Sequence, residues 1–222
     1  MSKQQKEQQP QQLTLTELFY SLQGEGVTTG QPTVFIRLTG CPLRCSYCDT
    51  EYAFRGGTRT SISSILEQVS GYSTQFVTVT GGEPLSQKGV YPLLKQLCDQ
   101  GYHVSLETGG MVDISKVDQR VSRVVDLKTP GSGEVEKNHW ENLTLLTPKD
   151  QLKVVMVDRK DYEWFLPILR KEKLDERCEV LLSPVQGVLE PATLAGWILE
   201  DRLKVRFQLQ LHKVLWGDQP GR

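Results

Sequence analysis

Residues 39–50 read Thr39-Gly40-Cys41-Pro42-Leu43-Arg44-Cys45-Ser46-Tyr47-Cys48-Asp49-Thr50 and hold three of the five cysteines of the chain. Cys41, Cys45 and Cys48 have the spacing C-x3-C-x2-C. Three thiolates can hold three irons of a four-iron cluster, because cysteine thiolate is the usual protein ligand of such clusters. The fourth iron can then bind a small molecule through an amine and a carboxylate, which the methionine end of S-adenosylmethionine offers. The spacing therefore indicates a 4Fe-4S cluster that works with this cofactor.

Two other interpretations of these cysteines are open. The three thiolates can bind zinc with a distant His or Cys as the fourth ligand, or they can be unrelated cytosolic thiols. Zinc fingers and ribbons usually present two separated pairs of ligands, whereas Cys98 and Cys178 are isolated in the sequence. The cysteine stretch also follows a strand-like run at 34–38, and the motif Thr-Gly-Gly-Glu-Pro comes later at 80–84. This context favours the cluster.

The composition is that of an ordinary globular domain. The chain has 222 residues, 38% of them hydrophobic and 24% charged, with a formal net charge of -1. This balance predicts one domain over residues 13–222 and gives no sign of nucleic-acid or membrane binding. Residues 1–12 are Gln-rich and are predicted to be a disordered tail. Clustered cysteines without a secretory signal indicate a reducing cytoplasm.

Strand-like and helix-like segments alternate along the chain, which predicts a mostly parallel sheet. The predicted strands are 33–39, 76–80, 103–107, 121–127, 151–157, 179–183 and 205–211. The main predicted helices are 61–72, 87–100, 159–173 and 191–201. A complete eight-unit barrel usually takes about 250 residues. We therefore predict an α/β fold that is an incomplete, open parallel β/α barrel of about six to seven strands. Its site is expected at the carboxyl ends of the strands.

Several short motifs occur in a definite order. They are Phe19-Tyr20-Ser21-Leu22-Gln23-Gly24-Glu25-Gly26, Phe35-Ile36-Arg37-Leu38, Cys48-Asp49-Thr50, Thr80-Gly81-Gly82-Glu83-Pro84, Asp126-Leu127-Lys128 and Leu211-His212-Lys213. Together, from about Leu15 to about Trp216, they resemble the radical S-adenosylmethionine (radical SAM) superfamily. Within it they resemble the family of 7-carboxy-7-deazaguanine synthases.

The resemblance implies which residues meet the cofactors. Cys41, Cys45 and Cys48 are expected to bind the cluster. The residues expected to contact S-adenosylmethionine are Tyr47, Cys48, Asp49, Gly82, Glu83, Asp126, Lys128, Ser183 and Gln186. Residues alone leave simpler interpretations open: 80–84 can be a plain strand-to-helix turn, and Lys128 can be a solvated lysine after a strand.

The resemblance also implies a substrate site. The residues expected to contact substrate are Leu22, Gln23, Gly24, Glu25, Arg37, Thr80, Thr108 and His212. Thr50 is expected to contribute its hydroxyl to a Mg²⁺ ion shared with the substrate, which suits the preference of magnesium for oxygen ligands. From the residues alone, 23–26 can be a surface turn, Arg37 can form a salt bridge inside the barrel, and His212 can be a surface or core residue.

The function that the resemblance implies is a radical ring contraction. The expected substrate is 6-carboxy-5,6,7,8-tetrahydropterin and the product is 7-carboxy-7-deazaguanine, with loss of ammonia, in queuosine and deazapurine biosynthesis and hence tRNA modification. A homodimer and a flavodoxin or similar reductant are expected partners. The alternatives are an activase of glycyl-radical enzymes and a zinc-binding module without catalysis. No residue stands out in the sequence as the acid or base for the loss of ammonia.

Overall fold

The computed structural model describes residues 12–217 and 219–221. Its strands are β1 Gln12–Leu22, β2 Pro32–Leu38, β3 Thr58–Ser61, β4 Phe76–Gly81, β5 His103–Thr108, β6 Ser122–Asp126, β7 Gln151–Met156, β8 Glu179–Pro184 and β9 Arg206–Phe207. Its α-helices are α1 Ile62–Ser70, α2 Val90–Asp99, α3 Asn142–Leu145, α4 Arg159–Glu172, α5 Leu174–Arg177, α6 Pro191–Glu200 and α7 Leu211–Trp216.

The strands form one sheet in the order β3-β1-β2-β4-β5-β6-β7-β8-β9. Neighbours from β2 to β9 run parallel, whereas β1 is antiparallel to both β2 and β3. The order is linear, so β3 and β9 are edges of an open sheet. The predicted open, mostly parallel β/α architecture is confirmed.

The main differences from the sequence-based expectation are two strands, the end of the last strand and helix α7, which was not predicted. Strands β1 and β3 were not predicted, because β1 mixes polar and apolar residues and β3 has only four residues. The last strand is Arg206–Phe207, where 205–211 was predicted. His212 therefore does not follow a strand but lies in the first turn of α7. The predicted tail lies outside the described residues except for Gln12, which begins β1.

The strands alternate between two environments, because successive side chains of a strand point to opposite faces of the sheet. On β2, Val34, Ile36 and Leu38 belong to the apolar core, whereas Phe35 and Arg37 line a cleft. The same alternation continues on β4 to β7, where residues such as Thr80 and Lys153 face the cleft. We call this second side of the sheet the inner face. It carries charged and polar side chains in the place where a core would be expected.

Amphipathic helices cover the apolar face. Helix α1 buries Ile62, Ile65, Leu66 and Val69 at helical spacing. It begins where the Ser61 hydroxyl accepts a hydrogen bond from the Ser64 amide at 3.1 Å, which satisfies one free amide of the first turn. None of the helices in the described part of the chain has the length and apolar character needed to cross a membrane.

A buried ion pair joins β6 to the start of β7. Asp150 is fully buried and accepts hydrogen bonds from the Nε of Arg123 at 3.0 Å and from the Thr147 hydroxyl at 2.6 Å. The arginine is also buried. This pair lies away from the cleft, so it tests the fold separately from the site.

We predict that Asp150→Ala destabilises the protein by about 3–5 kcal/mol, because it leaves the Arg123 guanidinium buried and unpaired. Urea unfolding monitored by circular dichroism measures this change. Glu163→Ala, which removes a half-exposed partner of Arg159, is the control and should leave stability nearly unchanged. Equal unfolding midpoints for Asp150→Ala and the parent would contradict the prediction.

Candidate active site

One cleft lies along the inner face at the carboxyl ends of the parallel strands. Every residue predicted for the cluster, the cofactor, the magnesium or the substrate lines it, except Glu83 and Ser183. These residues come from β2 and α7, from the ends of β1, β4, β5 and β6, and from the turn or loops that follow β1, β2, β4, β6 and β8. The fold therefore brings together residues that are up to 190 positions apart in the chain (from Leu22 to His212).

The cysteine loop is held in place by its backbone. The Gly40 amide donates to the Ala53 carbonyl at 2.7 Å, and the Ser46 amide donates to the Ser132 carbonyl at 3.0 Å. All five cysteines of the chain are free thiols, and the three in the loop are partly buried. Burial raises the pKa of the Cys41, Cys45 and Cys48 thiols. In the described residues no three His, Cys, Asp or Glu side chains are grouped so that one metal ion could bind them.

The donor set therefore fits a cluster better than a single zinc ion. A mononuclear site needs its ligands around one point, whereas a four-iron cluster separates three thiolates onto three of its irons. Thiolate ligands on a loop that opens into a cleft match that requirement. The predicted cluster ligands are thus present with suitable chemistry.

Glycines allow the loop after β4 to pack directly on the cysteine loop. A Cβ atom at Gly82 would lie 2.7 Å from the Cβ of Cys41 and would overlap the Gly40 carbonyl. The Gly82 amide donates to the Leu38 carbonyl at 3.0 Å, and the Glu83 amide donates to the Gly40 carbonyl at 2.8 Å. The glycine at position 82 is therefore required for the close approach of the two loops.

Glu83 is buried beneath this loop and does not line the cleft. Its carboxylate accepts hydrogen bonds from the Leu85 amide at 2.9 Å, the Gly109 amide at 2.7 Å and the Thr108 hydroxyl at 2.9 Å. Burial raises the pKa of this carboxyl group. These contacts assign Glu83 to shaping the loops after β4 and β5. Ser183 is also buried, 3.5 Å from the Gln208 side-chain nitrogen.

A chain of ion pairs crosses the inner face. The Lys128 ammonium pairs with Asp126 at 2.7 Å, and the Lys153 ammonium lies 2.6 Å from Glu25 and 3.4 Å from Asp126. Burial alone would lower the pKa of Lys153, but Asp126, Glu25 and Glu107 hold it well above its usual value. Likewise, burial opposes ionisation of Asp126, but Lys128 and Lys153 hold its pKa below the usual value. The cleft therefore presents paired, permanently charged groups.

Arg37 faces the cleft from β2 and is mostly buried. Its Nε donates to Glu17 on β1 at 2.6 Å, and its guanidinium lies over the rings of Phe19 and Tyr52. The salt bridge anticipated as an alternative is thus present. It uses Nε, and neither terminal nitrogen of the guanidinium has a hydrogen bond to another residue in the described part of the chain, so both can meet an anion in the cleft. Both interpretations of Arg37 are compatible with this geometry.

The C-terminal helix α7 closes one side of the cleft. The Leu211 amide donates to the Gly24 carbonyl at 3.0 Å, and a Cβ atom at Gly24 would overlap the Nδ1 of His212. The Lys213 ammonium lies 3.1 Å from Asp49. Burial alone would raise the pKa of Asp49, but Lys213 and a hydrogen bond from the Thr50 hydroxyl hold it well below its usual range. Burial lowers the pKa of His212.

Sequence reasoning gave no role to Glu107, Lys153, Gln210 and Lys213, which are among the polar and charged residues of this cleft. Gln210 donates to Glu25 at 2.7 Å and to Asp49 at 3.3 Å, so it links the turn after β1 to the cysteine loop. Gln210 was missed because its segment was predicted to be a strand. Glu107 and Lys153 carried a usable signal, since each is a charged residue that alternates with apolar residues in a predicted strand.

Comparison with known proteins agrees with this geometry. The family model of the Radical SAM superfamily matches residues 35–175, which include the cysteine loop and strands β4 to β7. The crystal structure of QueE from Escherichia coli has a TM-score of 0.71 with this chain at 24% identity, covering 90% of this chain and 95% of that one. The chain belongs to the Radical SAM superfamily.

Sequence relatives define the group more narrowly. The 7-carboxy-7-deazaguanine synthase of Chlorobaculum tepidum is 44% identical over 92% of this chain and 94% of its own length. The enzyme of the same name from Koribacter versatilis is 40% identical over 92% of this chain and 97% of its own. Within the superfamily, the chain belongs to the family of 7-carboxy-7-deazaguanine synthases.

The three loop cysteines should bind one cluster of about four irons. Alanine at Cys41, Cys45 or Cys48 is expected to lower the iron and sulfide bound after anaerobic reconstitution and to abolish cleavage of S-adenosylmethionine. Cys98→Ala is the matched control, because Cys98 lies on α2, packs against the hydrophobic core and does not line the cleft. A triple alanine variant of the loop that still reconstitutes a normal cluster would show that the ligands lie elsewhere.

Proposed function

We propose that this enzyme converts 6-carboxy-5,6,7,8-tetrahydropterin to 7-carboxy-7-deazaguanine with release of ammonia, as a step of queuosine and deazapurine biosynthesis that serves tRNA modification. The observation that carries the proposal is the 44% identity to a 7-carboxy-7-deazaguanine synthase over nearly the full length of both chains. The cysteine loop and the charged inner face, which share one cleft, provide the two parts that such a reaction needs.

The residues present fit both cofactors. Cys41, Cys45 and Cys48 would hold the cluster, and the Gly82 backbone and the Asp126–Lys128 pair would hold S-adenosylmethionine beside it. The bound cluster and S-adenosylmethionine supply a radical that takes hydrogen from carbon. Tyr47 and Gln186 also line the cleft. Burial raises the pKa of Tyr47 to about 12, so this phenol stays neutral next to the cofactor.

The substrate would occupy the inner face beyond the cysteine loop. Gln23, Gly24 and Glu25 approach it from the turn after β1, Arg37 from β2, Thr80 from β4 and His212 from α7. Arg37 supplies a planar cation for the substrate carboxylate. The ring system of a pterin carries amide and amine hydrogens, for which Glu25 is a suitable acceptor. These contacts would exclude water and fix the reacting carbon.

Incubation of the anaerobically reconstituted protein with the pterin, S-adenosylmethionine and a reductant tests this proposal. We expect a product that is lighter than the substrate by one molecule of ammonia. A protein that carries an intact cluster and cleaves S-adenosylmethionine but returns the pterin unchanged would refute the proposed substrate.

We also propose a flavodoxin or similar reductant, a homodimer and a cytoplasmic location.

A magnesium ion is proposed next to the substrate, with Thr50 as its protein ligand. The Thr50 hydroxyl lines the cleft and donates to Asp49 at 2.7 Å, so its lone pairs remain for a cation. Magnesium keeps several waters and commonly uses few protein oxygens. One hydroxyl, together with substrate and water oxygens, therefore suffices.

Magnesium should raise turnover, and Thr50→Ala should weaken that response because it removes the only proposed side-chain ligand. Steady-state rates across a magnesium titration measure the effect. Thr50→Ser keeps the hydroxyl and should retain the parent response. An unchanged magnesium dependence in Thr50→Ala would exclude Thr50 from the metal site.

Arg37→Lys should weaken pterin binding and slow turnover although it conserves the charge, because lysine lacks the planar pair of donors that fixes a carboxylate. A displacement of about 1 Å can cost roughly a hundredfold in rate, so we expect a loss of that order. Arg206→Lys, in a half-exposed pair with Glu179, is the control. Parent values of pterin affinity and turnover for Arg37→Lys would mean that Arg37 serves only its salt bridge with Glu17.

A further inference from the structure

We propose that Glu107 is the catalytic acid that protonates the departing nitrogen when ammonia is lost. The inference rests on the proposed function and assigns a group to the one step for which the sequence offered none. Glu107 lies on the inner face near the end of β5 and lines the cleft. It is therefore on the same surface as Arg37 and Thr80, the proposed substrate contacts from β2 and β4.

The geometry leaves one oxygen of Glu107 available to a ligand. Its Oε2 accepts a hydrogen bond from the Thr80 hydroxyl at 3.1 Å. The other oxygen, Oε1, accepts no hydrogen bond from a described residue. It is not among the side-chain atoms that are both inaccessible to solvent and without a hydrogen-bond partner. It therefore opens into the cleft, where a proton can be passed to a substrate atom within hydrogen-bond reach.

The surroundings favour a protonated carboxyl group that can still ionise. Burial raises the pKa of Glu107, and the nearby Glu25 carboxylate raises it further, whereas Lys153, Thr80 and Arg37 oppose the rise. A raised pKa increases the share of the acid form at a given pH. The Lys153 and Arg37 cations would then stabilise the carboxylate that remains after the proton has been given up.

Other titratable groups of the cleft are poorer candidates. Asp49 and Asp126 are held ionised by lysine partners, so they carry no proton to give. The oxygens of Glu25 accept from Lys153 and Gln210. The pKa values of Lys128 and Lys153 are raised, so these ammonium groups retain their protons. The phenols of Tyr47 and Tyr52 also line the cleft, but pKa values raised to about 12 make them weak acids. Burial lowers the pKa of His212, so this residue, whose Nδ1 lies against Gly24, is a rival only in its protonated form.

The step balances without an outside reactant. The carbon–nitrogen bond to the departing amine breaks, and its electron pair goes to nitrogen, which takes the proton of Glu107 and leaves as ammonia. The resulting carboxylate then accepts the ring proton whose removal completes the aromatic product. Glu107 thus returns to its acid form, and the substrate loses one ammonia in total.

The test is Glu107→Gln in the reconstituted enzyme, since glutamine matches the acid in shape but cannot transfer a proton. The substrate is deuterated at the carbon that bears the carboxylate, and we measure two quantities. The first is the deuterium that the radical takes from this carbon and that appears in S-adenosylmethionine, and the second is the ammonia released. We expect deuterium transfer and pterin affinity close to the parent values but ammonia release lower by about 10²–10⁴-fold, the usual range for a lost acid–base group. Glu107→Asp should restore part of the rate.

The pH dependence of ammonia release distinguishes a catalytic acid from a structural residue, because a structural role of Glu107 would leave that dependence unchanged. Parent ammonia release should fall as pH rises through the raised pKa of Glu107, because the acid form is the active one. This decline should be absent from the residual activity of Glu107→Gln. Glu179→Gln, a change of the same kind on an exposed part of β8, should keep the parent profile.

Distinct results overturn the inference. Parent-like ammonia release in Glu107→Gln would overturn it, above all if His212→Gln stops that release. Loss of both pterin binding and deuterium transfer in Glu107→Gln would also overturn it, because Glu107 would then be a binding residue. In each of these cases the parent enzyme still forms product, so the proposed function stands. A parent that neither transfers deuterium nor releases ammonia would overturn the proposed function and this inference together.

Discussion

The buried ammonium group of Lys153 is the feature on which the charged side of this site depends. A cation on the inner face of a sheet is stable only if carboxylates surround it, because an unpaired buried charge costs several kcal/mol. Glu25 and Asp126 supply that charge at 2.6 and 3.4 Å. The turn after β1 is thereby fixed to β6 and β7. Two groups proposed for different ligands, Glu25 for the pterin and Asp126 for S-adenosylmethionine, share this one lysine.

The two-sided sheet explains why the fold can accommodate such a network. One side carries the apolar residues that pack with α1, α2, α4 and α6 and form the hydrophobic core. The opposite side is then available for charged and polar groups. Because the strands from β2 to β9 are parallel, their carboxyl ends and following loops meet at one edge. The cysteine loop lies at that edge, beside the charged network, which brings the source of radical chemistry next to the substrate surface.

Local patterns predicted most of the architecture. The helical spacing of Ile62, Ile65, Leu66 and Val69 and the capping Ser61 indicated α1 nearly to the residue, and the alternation of strands and helices indicated the open parallel sheet. Strand β1 could not be predicted in the same way. Its pairing with β2 and β3 is decided by residues distant in sequence, and its alternation is interrupted by a bulge between Leu15 and Glu17. The last strand was predicted to run to Leu211, and helix α7, which begins there, was not predicted, because apolar residues in a short run fit both periods.

The cleft residues also divide into those that local sequence patterns could predict and those that depend on distant contacts. Motifs in loops, such as the three cysteines and Gly82, could be found because their chemistry or their backbone freedom is visible in the sequence. The partners that hold them could not, since the link from Gln210 to Glu25 and Asp49 and the position of Lys153 between Glu25 and Asp126 exist only in the folded chain. Glu83 shows the converse case. It lies within a recognisable motif, but its carboxylate is directed to backbone amides instead of the cleft.

One cleft is proposed to hold the cluster at its cysteine loop and the pterin against the charged inner face. A crystal structure of the anaerobically reconstituted protein with S-adenosylmethionine and the pterin, including anomalous scattering at the iron edge, measures both positions at once. We expect four irons held by Cys41, Cys45 and Cys48, and a pterin whose carboxylate meets Arg37 and whose ring lies beside Thr80 and Glu107. A single zinc ion on these cysteines, or a pterin bound outside the cleft, would contradict it.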